Sequence, residues 1–262
     1  MKDTEKRKYS VPAVETAFRI ITLLSRKKYN KSTLTEIANA LDLNPTTCFR
    51  VLHELHQLSI VKYDATVKRY TLGPYLVVLG ERAKEYLHDI TIINEYLEKM
   101  TAATGLTTFL VSRVGRNRST IVSKVEGENF GVNVSVGRHF ELLDGAYGKC
   151  IIAYASEEDL AYCLPLSKRF TDADVTEIDR FKKELLDVKK NGYAISYNET
   201  IKGIFGVAAP IMNFNDQVEM AIAFVGMCAQ YQEEELQPLI DQIKESAQAI
   251  NRKLNAEFVA VR

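Results

Sequence analysis

Residues 33–72 read TLTEIANALDLNPTTCFRVLHELHQLSIVKYDATVKRYTL, and this stretch decides the fold of the N-terminal part of the chain. Thr33 and Glu36 have the spacing of a helix-capping box. They predict a short helix over 34–41 with Leu34, Ile37, Ala38 and Leu41 inward. Asn44-Pro45 marks a turn, because proline drives the residue before it out of the helical region. A further helix is expected over 46–58. Cys48, Val51, Leu52, Leu55 and Leu58 fall on its inner face; Thr46, Thr47, Phe49, Arg50, His53 and Gln57 fall on the other. Two short strands, 60–63 and 69–72, flank a polar tip at 64–68, and Gly73-Pro74 ends the unit.

Working outward, the spacing predicts a helix over 12–28. Val14, Ala17, Phe18, Ile21 and Leu24 make its apolar stripe. Pro12 suits the first turn, and Arg26, Lys27 and Lys28 suit the last. A helix over 75–86 reads as a linker. The organisation expected is a DNA-binding domain at 1–74, a linker at 75–87 and a second domain at 88–262.

Three helices, a polar turn between the last two and a two-stranded ribbon are the parts of a winged helix-turn-helix, whose third helix enters the major groove. Thr46 and Thr47 would sit at the leading end of that helix, where hydroxyls and free backbone N–H groups reach phosphates. Arg50, one turn on, can reach a phosphate or a guanine edge, and Phe49 a thymine methyl. His53 shares this face. Lys68 and Arg69 in the wing suit phosphate contact, with Lys31 on the flank. The competing reading is a small helical domain with ordinary solvated charges.

Composition bounds the alternatives. The chain has 262 residues, 46% apolar and 26% charged, the balance of a folded protein of about two domains. No apolar run approaches the ~18 residues that cross a bilayer, and the charged N-terminus lacks a secretory apolar region. The four cysteines, Cys48, Cys150, Cys163 and Cys228, are scattered and form no CxxC pair, as expected of reduced thiols in a cytoplasmic protein. The chain is neutral overall, yet residues 1–87 carry 15 basic and 9 acidic side chains. One basic and one acidic domain is the pattern expected when only the first meets a polyanion.

From Leu106 the period changes to that of an α+β domain. Strands are expected at 106–114, 119–125, 131–136, 193–197, 206–212 and 218–225, the last two forming a hairpin across 213–216. Helices are expected at 88–103, 145–154, 157–163, 178–191 and 233–254. Glu233-Glu234-Glu235 suits the start of the final helix.

Several ordered motifs carry a family resemblance. Thr46-Thr47-Cys48-Phe49-Arg50 resembles the start of the recognition helix in the IclR family of bacterial transcriptional regulators, and Tyr70-Thr71-Leu72-Gly73 its post-wing motif. GAYGKCIIAY (145–154) and NGYAISYNETIKGIFGVAAPI (191–211) resemble the family's second domain, so the likeness runs from about Val14 to Leu254. It implies a homodimer or homotetramer on a near-palindromic operator, more often a repressor, with a GAF/PAS-like effector domain: an antiparallel sheet flanked by helices. It also implies a small-molecule effector near Ala146, Tyr147, Ser196, Gly206, Ala223 and Val225; no cofactor is expected. Members that bind small carboxylates tend to have Cys or Ser where this chain has Gly206, Ala223 and Val225. The expected ligand is therefore a small organic acid or aromatic metabolite with more apolar surface, or of greater size, than a two- or three-carbon acid. Ala223 and Val225 read equally well as sheet core.

Two other chemistries are open to the residues. Cys150 follows Lys149 near a helix start, where a thiolate is stabilised, and His139 lies upstream; a catalytic second domain with a cysteine nucleophile is the alternative function. The other reading of Cys150 is a buried structural thiol. His53 and His56, with Cys48 nearby, do not complete a four-ligand metal site, and no P-loop or GxGxxG is present. A winged helix that binds only protein partners is a third reading.

Overall fold

In a computed structural model of the chain, residues 11–86, 88–128, 132, 134–213 and 217–260 are described. They divide into two units, Met1–Tyr86 and Leu87–Arg262.

The first unit is assembled by its caps. Thr33 and Glu36 form the reciprocal capping box that starts α2 (Leu34–Leu41), and Asp42 in the left-handed conformation ends it. Two residues later the Asn44 side chain accepts from the Thr46 N–H and starts α3 (Pro45–Gln57), with Pro45 at a position where no N–H is needed. α1 (Pro12–Leu24) packs on both. A hairpin follows, β1 (Val61–Asp64) against β2 (Arg69–Leu72), its tip held by Asp64 accepting from the Thr66 and Val67 N–H groups. α4 (Tyr75–Tyr86) ends the unit. Ile20, Leu23, Leu24, Ile37, Ala38, Cys48, Leu52, Leu55, Val61 and Tyr70 make one core. This is the winged helix-turn-helix arrangement.

Three expectations are corrected here. The first helix stops at Leu24 rather than 28, because the chain turns through Arg26 and Tyr29. Its inner face is Ile20, Leu23 and Leu24, leaving Val14 and Phe18 exposed. The apolar arc of the helix is broad, with Glu15, Arg19 and Thr22 on the remaining side, so three-to-four spacing fits two overlapping stripes, and only packing against α2 and α3 chooses between them. Leu58 is also exposed: it lies past the end of α3, where Ser59 takes a positive φ and turns the chain out of the helix.

The second unit is a six-stranded antiparallel sheet with helices on both faces. α5 (His88–Thr104) leads into β3 (Thr107–Val114) and β4 (Arg118–Val125), then β5 (His139–Glu141), α6 (Gly145–Ala153), α7 (Glu157–Cys163) and α8 (Val175–Asn191). β6 (Ala194–Tyr197), β7 (Ile204–Met212), β8 (Val218–Met227) and α9 (Gln237–Ala260) complete it. The strand order is β5-β4-β3-β8-β7-β6. Pro210 sits inside β7 without breaking a ladder, because β6 ends at the Ala194–Ala208 pair and leaves that edge open.

Strand alternation gives the sheet two different faces. Leu110, Val207, Ala209, Ile222 and Phe224 pack under α5 and α9. Phe109, Val111, Ala208, Ala221 and Ala223 face α6 and α8. The segment that leads from β5 into α6 passes close to the helix: a Cβ on Gly148 would come within 2.3 Å of the Leu142 carbonyl oxygen, so α6 requires glycine there.

The strand expected at 131–136 is corrected. Gly131 and Asn133 lie outside the described residues, and Val132 and 134–136 are in no strand. Gly137, at φ +80°, turns the chain, and the strand is β5, which pairs Phe140 with Ser119 of β4. Part of the hairpin loop expected at 213–216 also lies outside the described residues. α8 begins at Val175, three residues before the position expected, because Asp174 and Glu177 form a second capping box.

Candidate nucleic-acid interface and ligand cavity

The face of α3 away from the core presents Thr46, Thr47, Phe49, Arg50 and His53, all exposed. Phe49 and His53 stack one turn apart, with ring centroids 6.2 Å apart. Among the described residues no carboxylate pairs with Arg50, so its guanidinium is available to an outside anion. Pro45 has no N–H, Asn44 accepts from the Thr46 N–H through its side chain and from the Cys48 N–H through its carbonyl, and the Thr47 N–H is left at the helix start beside the Thr46 and Thr47 hydroxyls. A helix start with a free N–H, two hydroxyls and an unpaired arginine one turn on is chemically matched to a phosphate backbone.

In the wing, Lys68 is exposed at φ +52°. Arg69 is engaged: its guanidinium donates to the Lys31 carbonyl at 2.6 Å and pairs with Glu36 at 3.2 Å. It thus ties the base of the wing to the start of α2, and the pair, being largely exposed, is worth about 0–1 kcal/mol. His56 points elsewhere, its ring nitrogen 3.1 Å from the Val61 carbonyl. Among the described residues no three His, Cys, Asp or Glu side chains cluster as metal ligands.

The second unit holds a cavity of about 80 Å3 between the sheet and the start of α6. Ala146, Tyr147, Ser196, Gly206, Ala223 and Val225 all border it. The reason is local. Gly206 and Ala223 place small side chains on the α6 face of β7 and β8, opposite Ala146, and the space left over is the cavity. A Cβ on Gly206 would meet only the Phe224 carbonyl at 3.7 Å and the Ala146 methyl at 3.9 Å, so the glycine leaves room rather than avoiding a clash.

The rest of the wall was not legible beforehand. Phe109 and Phe140 meet Tyr147 with ring centroids 6.0 and 5.3 Å away, and Thr200 and Ile201 close one side. Burial pushes the Tyr147 phenol well above its usual range, reinforced by the Asp144 carboxylate and opposed by Arg138, so it stays a neutral hydroxyl. Burial also raises the Asp144 carboxyl, with Glu141 acting in the same direction.

Beside the cavity, Lys149 is buried with its ammonium donating to the Ile195 carbonyl at 3.0 Å and pairing with Glu184 at 2.9 Å and Glu199 at 2.8 Å. Glu199 also pairs with Arg169 at 3.2 Å. These contacts strap the 198–203 loop, which carries Thr200 and Ile201, onto α6 and α8. Cys150, next along α6, is fully buried, and desolvation pushes its thiol far up, away from the thiolate a nucleophile needs. His139 lies exposed on β5.

Comparison with known proteins places this geometry. The model described as the IclR helix-turn-helix domain matches residues 13–65, and that of the bacterial transcriptional regulator IclR C-terminal domain matches residues 84–252. The HTH-type transcriptional regulator KipR of Bacillus subtilis is 24% identical over 92% of this chain and 97% of its own length. An IclR transcriptional regulator from Alicyclobacillus acidocaldarius, solved by crystallography, is 36% identical, with a TM-score of 0.84 over 94% of this chain and 100% of that one. An IclR homologue from Microbacterium hydrocarbonoxydans, solved in complex with 4-hydroxybenzoate, shares the fold at 19% identity, with a TM-score of 0.79 over 93% and 99% of the two chains.

Proposed function

This chain belongs to the IclR family of bacterial transcriptional regulators, and from that membership we propose that it is a cytoplasmic, effector-controlled repressor of a metabolic operon. It binds DNA through the N-terminal winged helix-turn-helix and holds a small organic acid or aromatic metabolite in the second unit. Thr46 and Thr47 grip phosphate, Arg50 reads a guanine edge, and Phe49 and His53 line the groove face. Lys68 contacts phosphate from the wing, and Arg69 holds the wing in place for it. A homodimer, or a pair of dimers, spans two half-sites about 10 base pairs or a multiple apart.

The observation that carries the effector reading is the aromatic-walled cavity bordered by Ala146, Tyr147, Ser196, Gly206, Ala223 and Val225. The 4-hydroxybenzoate held by the Microbacterium homologue adds a precedent for an aromatic acid on this fold. Effector control requires that the ligand bind the DNA-competent and DNA-released states with different affinity. Catalysis is not assigned to the second unit, since the buried Cys150 thiol is the wrong protonation state for a nucleophile.

The test is fluorescence anisotropy with DNA from upstream of the protein's own gene and its neighbours, against scrambled duplex, across a salt series. Nanomolar binding to one fragment, well above scrambled, is expected. Equal and steeply salt-dependent binding to every fragment would leave only a basic winged helix.

A further inference from the structure

We propose that Arg138 is the specificity-determining residue of the cavity, selecting a ligand that carries one negative charge on an apolar body. This deepens the effector reading and rests on it. Arg138 is the charged residue among the described lining of a cavity whose walls are otherwise aliphatic, aromatic or hydroxyl-bearing. It is itself exposed, which puts its guanidinium at the mouth.

Its position is built rather than incidental. Gly137, at φ +80°, closes a turn in which the Arg138 N–H donates to the Ser135 carbonyl at 3.1 Å. The Arg138 carbonyl accepts from the Ile121 N–H and the Thr120 hydroxyl, both at 3.2 Å, pinning the residue to β4. The guanidinium lies 5.0 Å over the Phe140 ring, a cation–π contact that holds it against the cavity wall. Among the described residues no carboxylate pairs with it. The nearby acids are committed elsewhere or are not its partners: Glu141 accepts from the Lys168 N–H, and Glu126 pairs with Lys124.

The chemistry that fits follows from charge and volume. A carboxylate at the mouth meets the free guanidinium, and the neutral Tyr147 hydroxyl can donate to it. A second anionic group would find no further cation among the described lining residues, which limits the ligand to one charge. The body enters a space of about 80 Å3, room for several water-sized groups. A short branched acid fits this space directly. A benzene ring, which an apolar cavity of ~150 Å3 accommodates, needs the wall at Ile201 to yield.

The experiment is calorimetric titration of the full-length protein with isobutyrate and benzoate, each paired with its neutral amide. Wild type is compared with Arg138→Gln and Arg138→Lys, all three checked for equal melting temperature. Binding of at least one acid over its amide is expected, with a loss of about 10- to 100-fold for the acid alone in Arg138→Gln and partial recovery in Arg138→Lys. Isobutyrate as the better ligand would mark a rigid wall, and benzoate a yielding one; either supports the assignment. An acid that binds wild type and Arg138→Gln equally overturns the role of Arg138 while leaving the cavity as the effector site. No binding of any of the four compounds to wild type overturns the proposed ligand class, and operator release by some other ligand class then separates this from failure of the effector reading itself.

Discussion

Replacing Lys149 with methionine keeps the length of the side chain and removes its charge. The wild-type side chain is only 5% exposed and serves the Ile195 carbonyl, Glu184 and Glu199 at once. Breaking a fully buried ion pair costs about 3–5 kcal/mol. The cost here is smaller, because the Glu184 and Glu199 side chains are 34% and 29% exposed and water can screen them. Glu199 also keeps Arg169. The Ile195 carbonyl loses its bond to the ammonium, at about 1–3 kcal/mol if it is left unsatisfied. A net destabilisation of roughly 2–4 kcal/mol follows. For a unit of this size that lowers the melting temperature by about 5–15 °C. Thermal unfolding followed by circular dichroism, with urea midpoints in parallel, reads it directly. A shift worth less than about 1 kcal/mol, the range of an ordinary surface change, would refute the reasoning that this lysine organises the cavity side of the sheet.

Other expectations follow from the same geometry. Arg50→Ala should weaken operator binding by about 1–3 kcal/mol in an anisotropy titration and relax preference at one base position; an equal loss on scrambled DNA would mark a phosphate contact instead. Gly206→Ala should raise stability by roughly 0.5–1 kcal/mol, since a strand glycine gives way to alanine without a clash, yet weaken benzoate or isobutyrate binding by filling the cavity. Loss of stability in that variant would contradict the contact distances. For Asp144, burial raises the folded-state pKa above the unfolded one, so the folded state binds the extra proton and stability declines as pH rises through the carboxylate range. Asp144→Asn should therefore be more stable than wild type at neutral pH and lose that part of the pH dependence, as urea midpoints at pH 4 and pH 7 would reveal.

The helix-turn-helix was legible because its limits are written in side chains that bond their own backbone. Thr33, Glu36 and Asn44 cap locally, and no distant contact is needed to place them. The face of α1 was illegible for the opposite reason: its apolar residues cover an arc wider than the buried face, and partners far along the chain decide which of them are buried. The Asp174–Glu177 box was readable in principle as a cap three residues before the apolar run of α8. In the second unit the six cavity positions came from family likeness, not from their own chemistry. Glycine and alanine in a strand announce nothing until the facing helix is known. Arg138 carried no signal, since an arginine between Gly137 and His139 reads as surface. Only the Gly137 turn and the pairing of β5 with β4 bring it to the mouth.

The strap on the 198–203 loop separates two properties of any effector held in the cavity. A molecule that fits the existing space gains its full contact energy and leaves Ile201 where it stands. A bulkier one that presses on Ile201 works against the Glu199 links to Lys149 and Arg169, and that work is subtracted from its affinity. Occupancy and efficacy need not rise together: the tightest ligand in a series can be a silent competitor, and a weaker, larger one the true inducer.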